Sequence, residues 1–342
     1  MKQCLVFALV AASCAVHAQS TTTVFGIVDL GGRQVKNGDR TLNSLASGGI
    51  NSSRLGVRGS EDLGGGLLAQ FWLESGFNAD TGVQTDAARF WSRRSTVSLV
   101  GGFGELRLGR DFATNYLAYL PYEPFGTNGI ASGSKFFTAL GTGADTTVRA
   151  DNMVNYYTPS GLGGFYGQLT VAPGEGSAGK KYAAGRAGYK AGDLDLQASY
   201  SRTDVRPPAS ADHGFKFATI GGSYDFGVVK LLAYVGDTRN GDQKNRVISL
   251  GATMPIGQGV IKAVFIDADA SGRTATGASV ADNDARQFAL GYVHNLSKRT
   301  ALYGTIALVH NDGRANYVVD SAPALAAGAN SRGIEAGLRH SF

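Results

Sequence analysis

Beyond its first eighteen positions the chain has no cysteine, because Cys4 and Cys14 both lie in the leading segment. A disulfide framework and a thiolate metal site are thereby excluded from the remainder. A chain of 342 residues without a covalent staple must draw its stability from a large core or from closure of a sheet. No apolar run reaches the length of about 20 residues that a spanning helix needs, so a helical membrane protein is excluded too. Gly-x-Ser-x-Gly, His-Glu-x-x-His and Walker-type signatures are missing, and Ser177-Ala178-Gly179-Lys180 matches Ser-x-x-Lys only by chance in a loop. His213, His294, His310 and His340 are widely spaced and read as loop or strand-end residues rather than metal ligands, and Asp282-Asn283-Asp284 reads as a solvated loop. The expectation is a protein that is not an enzyme and carries no cofactor or metal. Positive charge is not concentrated either: the net charge of +5 falls to +4 without Lys2, and the arginines are scattered singly, which argues against nucleic acid.

The leading segment has a secretory pattern. Lys2 supplies the positive end, Leu5 to Val16 are apolar or small, and Val16-His17-Ala18 ends in small residues. Residues 1–18 are expected to be a signal peptide and residues 19–342 the exported domain.

Forty-nine glycines and ten percent aromatics describe neither an average globular core nor a disordered tail. The dominant local signal is period two, in runs of about ten residues, the length a tilted strand needs to cross hydrocarbon. In Leu67 to Phe77, Ala69, Phe71 and Leu73 share one face while Gln70, Trp72 and Glu74 share the other. The same alternation runs through Arg54 to Arg58, Leu194 to Tyr200 and Gly333 to Phe342, and helical periodicity of any length is absent.

Tight reversals punctuate these runs at Gly64-Gly65-Gly66, Gly102-Phe103-Gly104, Gly161 to Gly164, Gly192-Asp193, Phe226-Gly227, Gly257-Gln258-Gly259 and Ser297-Lys298. Longer polar segments, such as Val35 to Asn51, Val205 to His213 and Asp312 to Ser331, alternate with them. Seven short turns on one side and eight loops on the other connect sixteen strands, an even number that closes without an edge. The fold expected is all-β: a transmembrane antiparallel β-barrel of sixteen strands. The interval from Gly104 to Gly161 is too long for strand, loop, strand, so Ala113 to Asp151 is an inserted segment, and loops of such length are usually functional.

In a bilayer the apolar face of such a barrel points outward and every backbone polar group pairs within the sheet. That register sends Leu55, Val57, Val97, Leu108, Phe265, Leu302, Ile306 and Leu338 to lipid, with Leu194, Tyr200, Phe288 and Tyr292 toward the interfaces. It turns Arg54, Arg58, Arg94, Arg107, Lys230, Lys262, Arg339 and Glu335 inward, where water can reach them. An arginine at the bilayer midplane would cost about 2 to 4 kcal/mol, so the opposite register is implausible for the whole set. Each inward cation has a bland alternative, pairing with a carboxylate such as Glu74 or Glu335.

Over its whole length the sequence resembles the Gram-negative general porins, most closely the trimeric β-proteobacterial type. Thr22-Thr23-Val24-Phe25-Gly26-Ile27-Val28-Asp29 is similar to that family's first strand, Ser53 to Gly66 to its second strand and first turn, and Gly104 to Arg110 to the strand entering its third loop. Gly337-Leu338-Arg339-His340-Ser341-Phe342 resembles its last strand, whose terminal aromatic is read by the barrel-assembly machinery. Pro121-Tyr122-Glu123-Pro124-Phe125-Gly126 resembles the family's Pro-Glu-Phe-Gly motif, here with a proline between Glu123 and Phe125.

The resemblance implies a third loop folded into the pore, with Tyr116, Tyr119, Tyr122, Glu123 and Phe125 at the constriction. Its carboxylates would face a basic wall of Arg54, Arg58, Arg94 and Arg107. It implies a homotrimer in the outer membrane, exported through the periplasm, set in a lipid bilayer with lipopolysaccharide and passing small hydrophilic solutes and ions with a mild anion preference. Phe342 would be the insertion signal. Two other functions remain open: a channel specific for an organic acid or phosphate, and a non-channel adhesin or structural barrel.

Overall fold

The structure, a computed structural model, describes residues 20–205, 214–274 and 276–342. The signal peptide expected at 1–18, and all of the Val205 to His213 loop except Val205, lie outside the described residues.

Strand follows strand around a single closed antiparallel sheet: β1 (Thr21–Asn37), β2 (Arg40–Ser47), β3 (Arg54–Gly64), β4 (Leu67–Gly76), β5 (Arg94–Gly101), β6 (Gly104–Phe112), β7 (Arg149–Tyr157), β8 (Phe165–Ala172) and β9 (Tyr182–Ala191), then β10 (Leu194–Asp204), β11 (Gly214–Asp225), β12 (Lys230–Asn240), β13 (Gln243–Ile256), β14 (Gly259–Ser271), β15 (Ala285–Asn295), β16 (Thr300–Asn311) and β17 (Ser331–Ser341). β1 pairs with β17 from Ile27 opposite Ser341 to Asn37 opposite Ser331, which closes the barrel. The other edge of β1 is shared. Thr21 to Ile27 pair with β3 and Leu30 to Asn37 pair with β2, so β2 and β3 are one stave interrupted at residues 48–53. The barrel therefore has sixteen staves.

All seven short turns fall where glycine and polar residues place them, from β3–β4 to β15–β16. Gly64, Gly65 and Gly66 have φ of +83°, +63° and +80°, which a residue with a Cβ adopts only under strain. The segment Val35 to Asn51, expected as a loop, is largely a hairpin instead. β1 runs on to Asn37, turns at Gly38 and Asp39, and returns as β2. Its side chains alternate too weakly in polarity to announce a strand, yet its backbone finds partners on β1 in direct register.

The outward faces are apolar: Leu55, Phe71 and Leu302 are 47%, 39% and 45% exposed. Their strand neighbours Glu74, Thr96, Ser98, Thr305 and Glu335 are buried on the inner side. This is the arrangement a barrel in hydrocarbon requires. The inside is not uniformly polar, however. Phe215, Phe217, Leu232, Tyr234, Val247, Val264 and Ile266 also point inward and are buried, because the segment between β6 and β7 packs on them.

Candidate functional site

That segment, residues 113–148, begins with one and a half helical turns, α1 (Thr114–Tyr119), where no helix was expected. It contacts the inner sides of β8 to β11 and continues through a second turn at Leu120–Tyr122. Aromatic packing holds it: the Tyr119 ring lies 5.6 Å from Tyr234, and Phe137 lies 4.8 Å from Phe217. Two wall glycines make the seats. A Cβ on Gly221 would sit 2.3 Å from the Tyr122 ring, and one on Gly236 would sit 2.2 Å from Phe137. Polar ties complete the docking. The Tyr122 hydroxyl donates to Asp195 at 3.1 Å, and the Ile130 amide donates to Glu335 at 3.3 Å. Glu335 in turn is ion-paired to Arg33 at 2.7 Å.

Glu123, expected to face the arginine wall, is turned into the packing and is 4% exposed. Tyr234 donates to its Oε2 at 3.3 Å and the Phe125 amide to its Oε1 at 3.4 Å. Burial pushes this carboxyl up to about 7, against the opposing pull of those donors and of Lys135 and Lys262. It is not a free acidic charge opposing the wall. Lys135 donates to the Ile130 carbonyl at 3.0 Å and to Gln287 at 2.9 Å, and burial draws its ammonium down to about 7.

The interruption between β2 and β3 approaches this loop from the other side. Asp29, fully buried on β1, accepts from the amides of Gly49, Ile50 and Asn51 at 3.1, 3.0 and 2.7 Å and from the Tyr303 hydroxyl at 2.7 Å. The segment so held receives the Gly129 amide on the Gly48 carbonyl at 3.1 Å, and Ser52 donates to Asn128 at 2.9 Å. Nothing in the alternation pattern marks Asp29 for this role.

Between loop and wall lies a cavity of about 650 Å³. Tyr116, Glu123, Phe125 and Thr127 border it from the loop, and Arg54, Arg93, Arg149, Lys262 and Arg339 from the wall. Arg54 and Arg93 share the carboxylate of Glu74, Arg54 at 3.4 Å. Arg149, Lys262 and Arg339 have no carboxylate partner among the described residues. Arg149 donates instead to the Arg93 carbonyl at 2.9 Å and lies 4.3 Å over the Phe112 ring, while Nε of Arg339 is buried without a partner. Cations outnumber available carboxylates there.

The structure thus gathers Arg54, Lys262 and Arg339 with Tyr116, Glu123 and Phe125, and places Arg58 and Arg94 in a separate recess beside Trp72. Arg107 is held between Glu105 at 2.7 Å and Asp111 at 2.7 Å, and Lys230 stands at the turn end of β12, opposite Thr253. Arg93 and Arg149 were not anticipated. One precedes β5 and the other opens β7, where alternation gives no facing; the Arg93-Arg94 doublet was the available signal. At the seam, Phe342 exchanges two backbone hydrogen bonds of 3.0 Å with Gly26, and its ring covers that glycine.

The sequence pattern of the Gram-negative porins matches residues 6–314. The chain belongs to that family. Among its relatives, outer membrane porin protein 32 of Delftia acidovorans is 38% identical, covering all of this chain and 99% of its own length. An outer membrane porin of Bordetella pertussis is 29% identical over the full length of both. Among solved structures, an anion-selective porin from Comamonas acidovorans superposes with a TM-score of 0.83 at 36% identity, covering 95% of this chain and 100% of that one. The trimer form of a Vibrio cholerae outer membrane protein shares the fold at 19% identity and a TM-score of 0.66, covering 94% of this chain and 99% of its own. As a porin the chain is a β-barrel of the outer membrane, and the lipid-facing register of its strands is the physical counterpart of that location.

Proposed function

We propose that this porin is a water-filled channel for passive diffusion of small hydrophilic solutes and ions, that it prefers anions, and that it acts as a channel and not as a catalyst. The cavity beside the loop carries this reading: five cations border it, Glu74 is shared by two of them, and Glu123 is buried. Fixed charge of one sign between low-dielectric walls concentrates counter-ions and sets ion preference. The anion-selective porin of Comamonas acidovorans, similar along nearly the whole chain, supports the same sign.

On this reading residues 1–18 are removed during export, residues 19–342 form the barrel, three copies assemble in a bilayer containing lipopolysaccharide, and Phe342 is read by the assembly machinery. Tyr116, Glu123 and Phe125 border the constriction while Tyr119 and Tyr122 lie behind them, packed against the wall, and Arg54, Arg58, Arg94, Arg107, Lys230, Lys262, Arg339 and Glu335 are the lumen charges, to which Arg93 and Arg149 are added. The test is the reversal potential of purified protein in a planar bilayer under a potassium chloride gradient. Anion preference is expected in the parent, and Arg93→Gln with Arg149→Gln should move the potential toward zero. Cation preference in the parent would overturn the proposed sign.

A further inference from the structure

The sequence contains three Asn-Gly pairs, Asn37-Gly38, Asn128-Gly129 and Asn240-Gly241, and the first and last continue as Asn-Gly-Asp at the tip of a hairpin. Asparagine before glycine is the pair most prone to modify itself, because glycine has no Cβ to obstruct its own amide nitrogen. That nitrogen attacks Cγ of the asparagine. For the attack the glycine amide must be free of its hydrogen bond, and the asparagine side chain must be free to turn toward it. The three pairs differ on both counts.

In the β1–β2 hairpin both groups are held. The Gly38 amide donates to the Asn330 carbonyl at 2.8 Å. Asn37 is buried, donates from Nδ2 to the carbonyls of Asp320, at 3.1 Å, and Pro323, and accepts from the Ser331 hydroxyl at 2.6 Å. In the inserted loop the Gly129 amide donates to the Gly48 carbonyl at 3.1 Å, while the Asn128 side chain donates to the Gly126 carbonyl at 2.6 Å and accepts from Ser52 at 2.9 Å. The β12–β13 hairpin makes the same turn, with φ of +58° at Gly241 against +59° at Gly38, but has neither tie. Among the described residues the Gly241 amide has no acceptor and Oδ1 of Asn240 has no donor. The space that a Cβ on Gly241 would enter is open. Asn240 opposite Gln243 is the last pair of its ladder, at the barrel end away from the short turns, and such terminal pairs open at little cost.

We infer that Asn240-Gly241 is a site of spontaneous deamidation, which adds a carboxylate to the loop end of the barrel as the protein ages. The Gly241 nitrogen bonds to Cγ of Asn240, the Cγ–Nδ2 bond breaks, and the Gly241 amide proton departs with Nδ2 as ammonia. Water then opens the cyclic imide at either carbonyl, giving aspartate or isoaspartate. The balance is water in and ammonia out, with no change of oxidation state. The new charge follows Arg239, on a stretch where Arg239 is opposite Lys244 and Arg246 is opposite Asp237, so it offsets positive charge at that rim. This electrical consequence rests on the channel reading, whereas the modification does not.

The test keeps the full-length barrel in detergent and mildly alkaline heavy-oxygen water, with a parallel sample unfolded in guanidinium, and follows each Asn-Gly peptide by mass spectrometry. Heavy oxygen marks only the amides lost during the incubation. In the folded barrel Asn240 is expected to deamidate at least tenfold faster than Asn37 or Asn128, and in guanidinium the three rates should converge to within twofold. An Asn240 rate no higher than the other two in the folded barrel, or a spread that survives unfolding, overturns the site. Asn240→Asp supplies the product directly. It should move the reversal potential under a potassium chloride gradient toward zero at low salt and less at high salt, because a charge in open solvent is screened. A potential that does not move overturns the electrical consequence; cation preference in the parent would overturn the proposed sign of selectivity and leave the peptide masses as they are.

Discussion

Removing the Asp29 carboxylate should loosen the porin where residues 48–53 meet the inserted loop. Four donors converge on that side chain, the amides of Gly49, Ile50 and Asn51 and the Tyr303 hydroxyl, all within 3.1 Å. Leaving a buried donor unpaired costs roughly 1 to 3 kcal/mol, more when the lost acceptor is charged. Partial relaxation and entry of water reduce the sum, so Asp29→Ala should destabilise by about 3 to 6 kcal/mol. Asp29→Asn is milder. Its amide can turn its NH₂ toward Gly49 and Tyr303, where the phenol oxygen can accept, leaving one amide stranded at a cost of about 1 to 3 kcal/mol. The assay is guanidinium unfolding of the barrel reconstituted in lipid vesicles, followed by tryptophan emission. Because residues 48–53 also carry Gly129 and Asn128 of the inserted loop, single-channel current noise should rise in the same order. An Asp29→Ala protein that unfolds at the parent's denaturant concentration, or an Asn variant weaker than the Ala variant, would refute the reasoning.

The seat at Gly236 makes a sharper steric prediction. Gly236→Val places atoms where Phe137 now lies 2.2 Å from a notional Cβ, so the loop should be dislodged while the strands persist, seen as raised conductance with normal heat-modifiable migration. The pH dependence of loop docking follows from Glu123. Burial raises its carboxyl from 4.5 to about 7, so the docked loop holds that proton more tightly than a hydrated one. Docking therefore strengthens as pH falls from 7 toward 4.5 and weakens as pH rises through 7. Lys135, lowered from 10.5 to about 7, changes its contribution only between 7 and 10.5, where docking is penalised more as pH falls. Current noise should consequently decline between pH 7 and 5, and Glu123→Gln should flatten that interval; an unaltered slope in the variant would assign the effect elsewhere.

The strands and short turns could be read from the sequence because each rests on a local rule. Side chains alternate where one face meets lipid and the other water, as along Leu302, Ile306 and Leu308, and glycine marks reversals such as Gly64 to Gly66. The count of staves followed from those turns. The hairpin at Val35 to Ser47 did not, because its side chains alternate too weakly in polarity for the pattern to mark strands. Nor did the apolar inner patch at Phe217, Tyr234 and Ile266, which exists only because a distant segment packs on it. The same limit applies to the site. Arg54, Lys262 and Arg339 were legible as inward strand residues, whereas Arg93 lies just before β5 and Arg149 at the first position of β7, and Glu123 is charged by composition but buried by tertiary contact.

The Gly26–Phe342 junction bears on how the molecule is made. Its two mutual backbone bonds join the first strand to the last, so every partial ribbon, however many hairpins it has zipped together, still presents two unsatisfied borders. Such borders invite pairing with other chains, and contacts so far apart in sequence form slowly. The growing sheet must therefore be shielded until its final strand arrives, and a chain shortened at either strand should accumulate as aggregate instead of as a smaller pore.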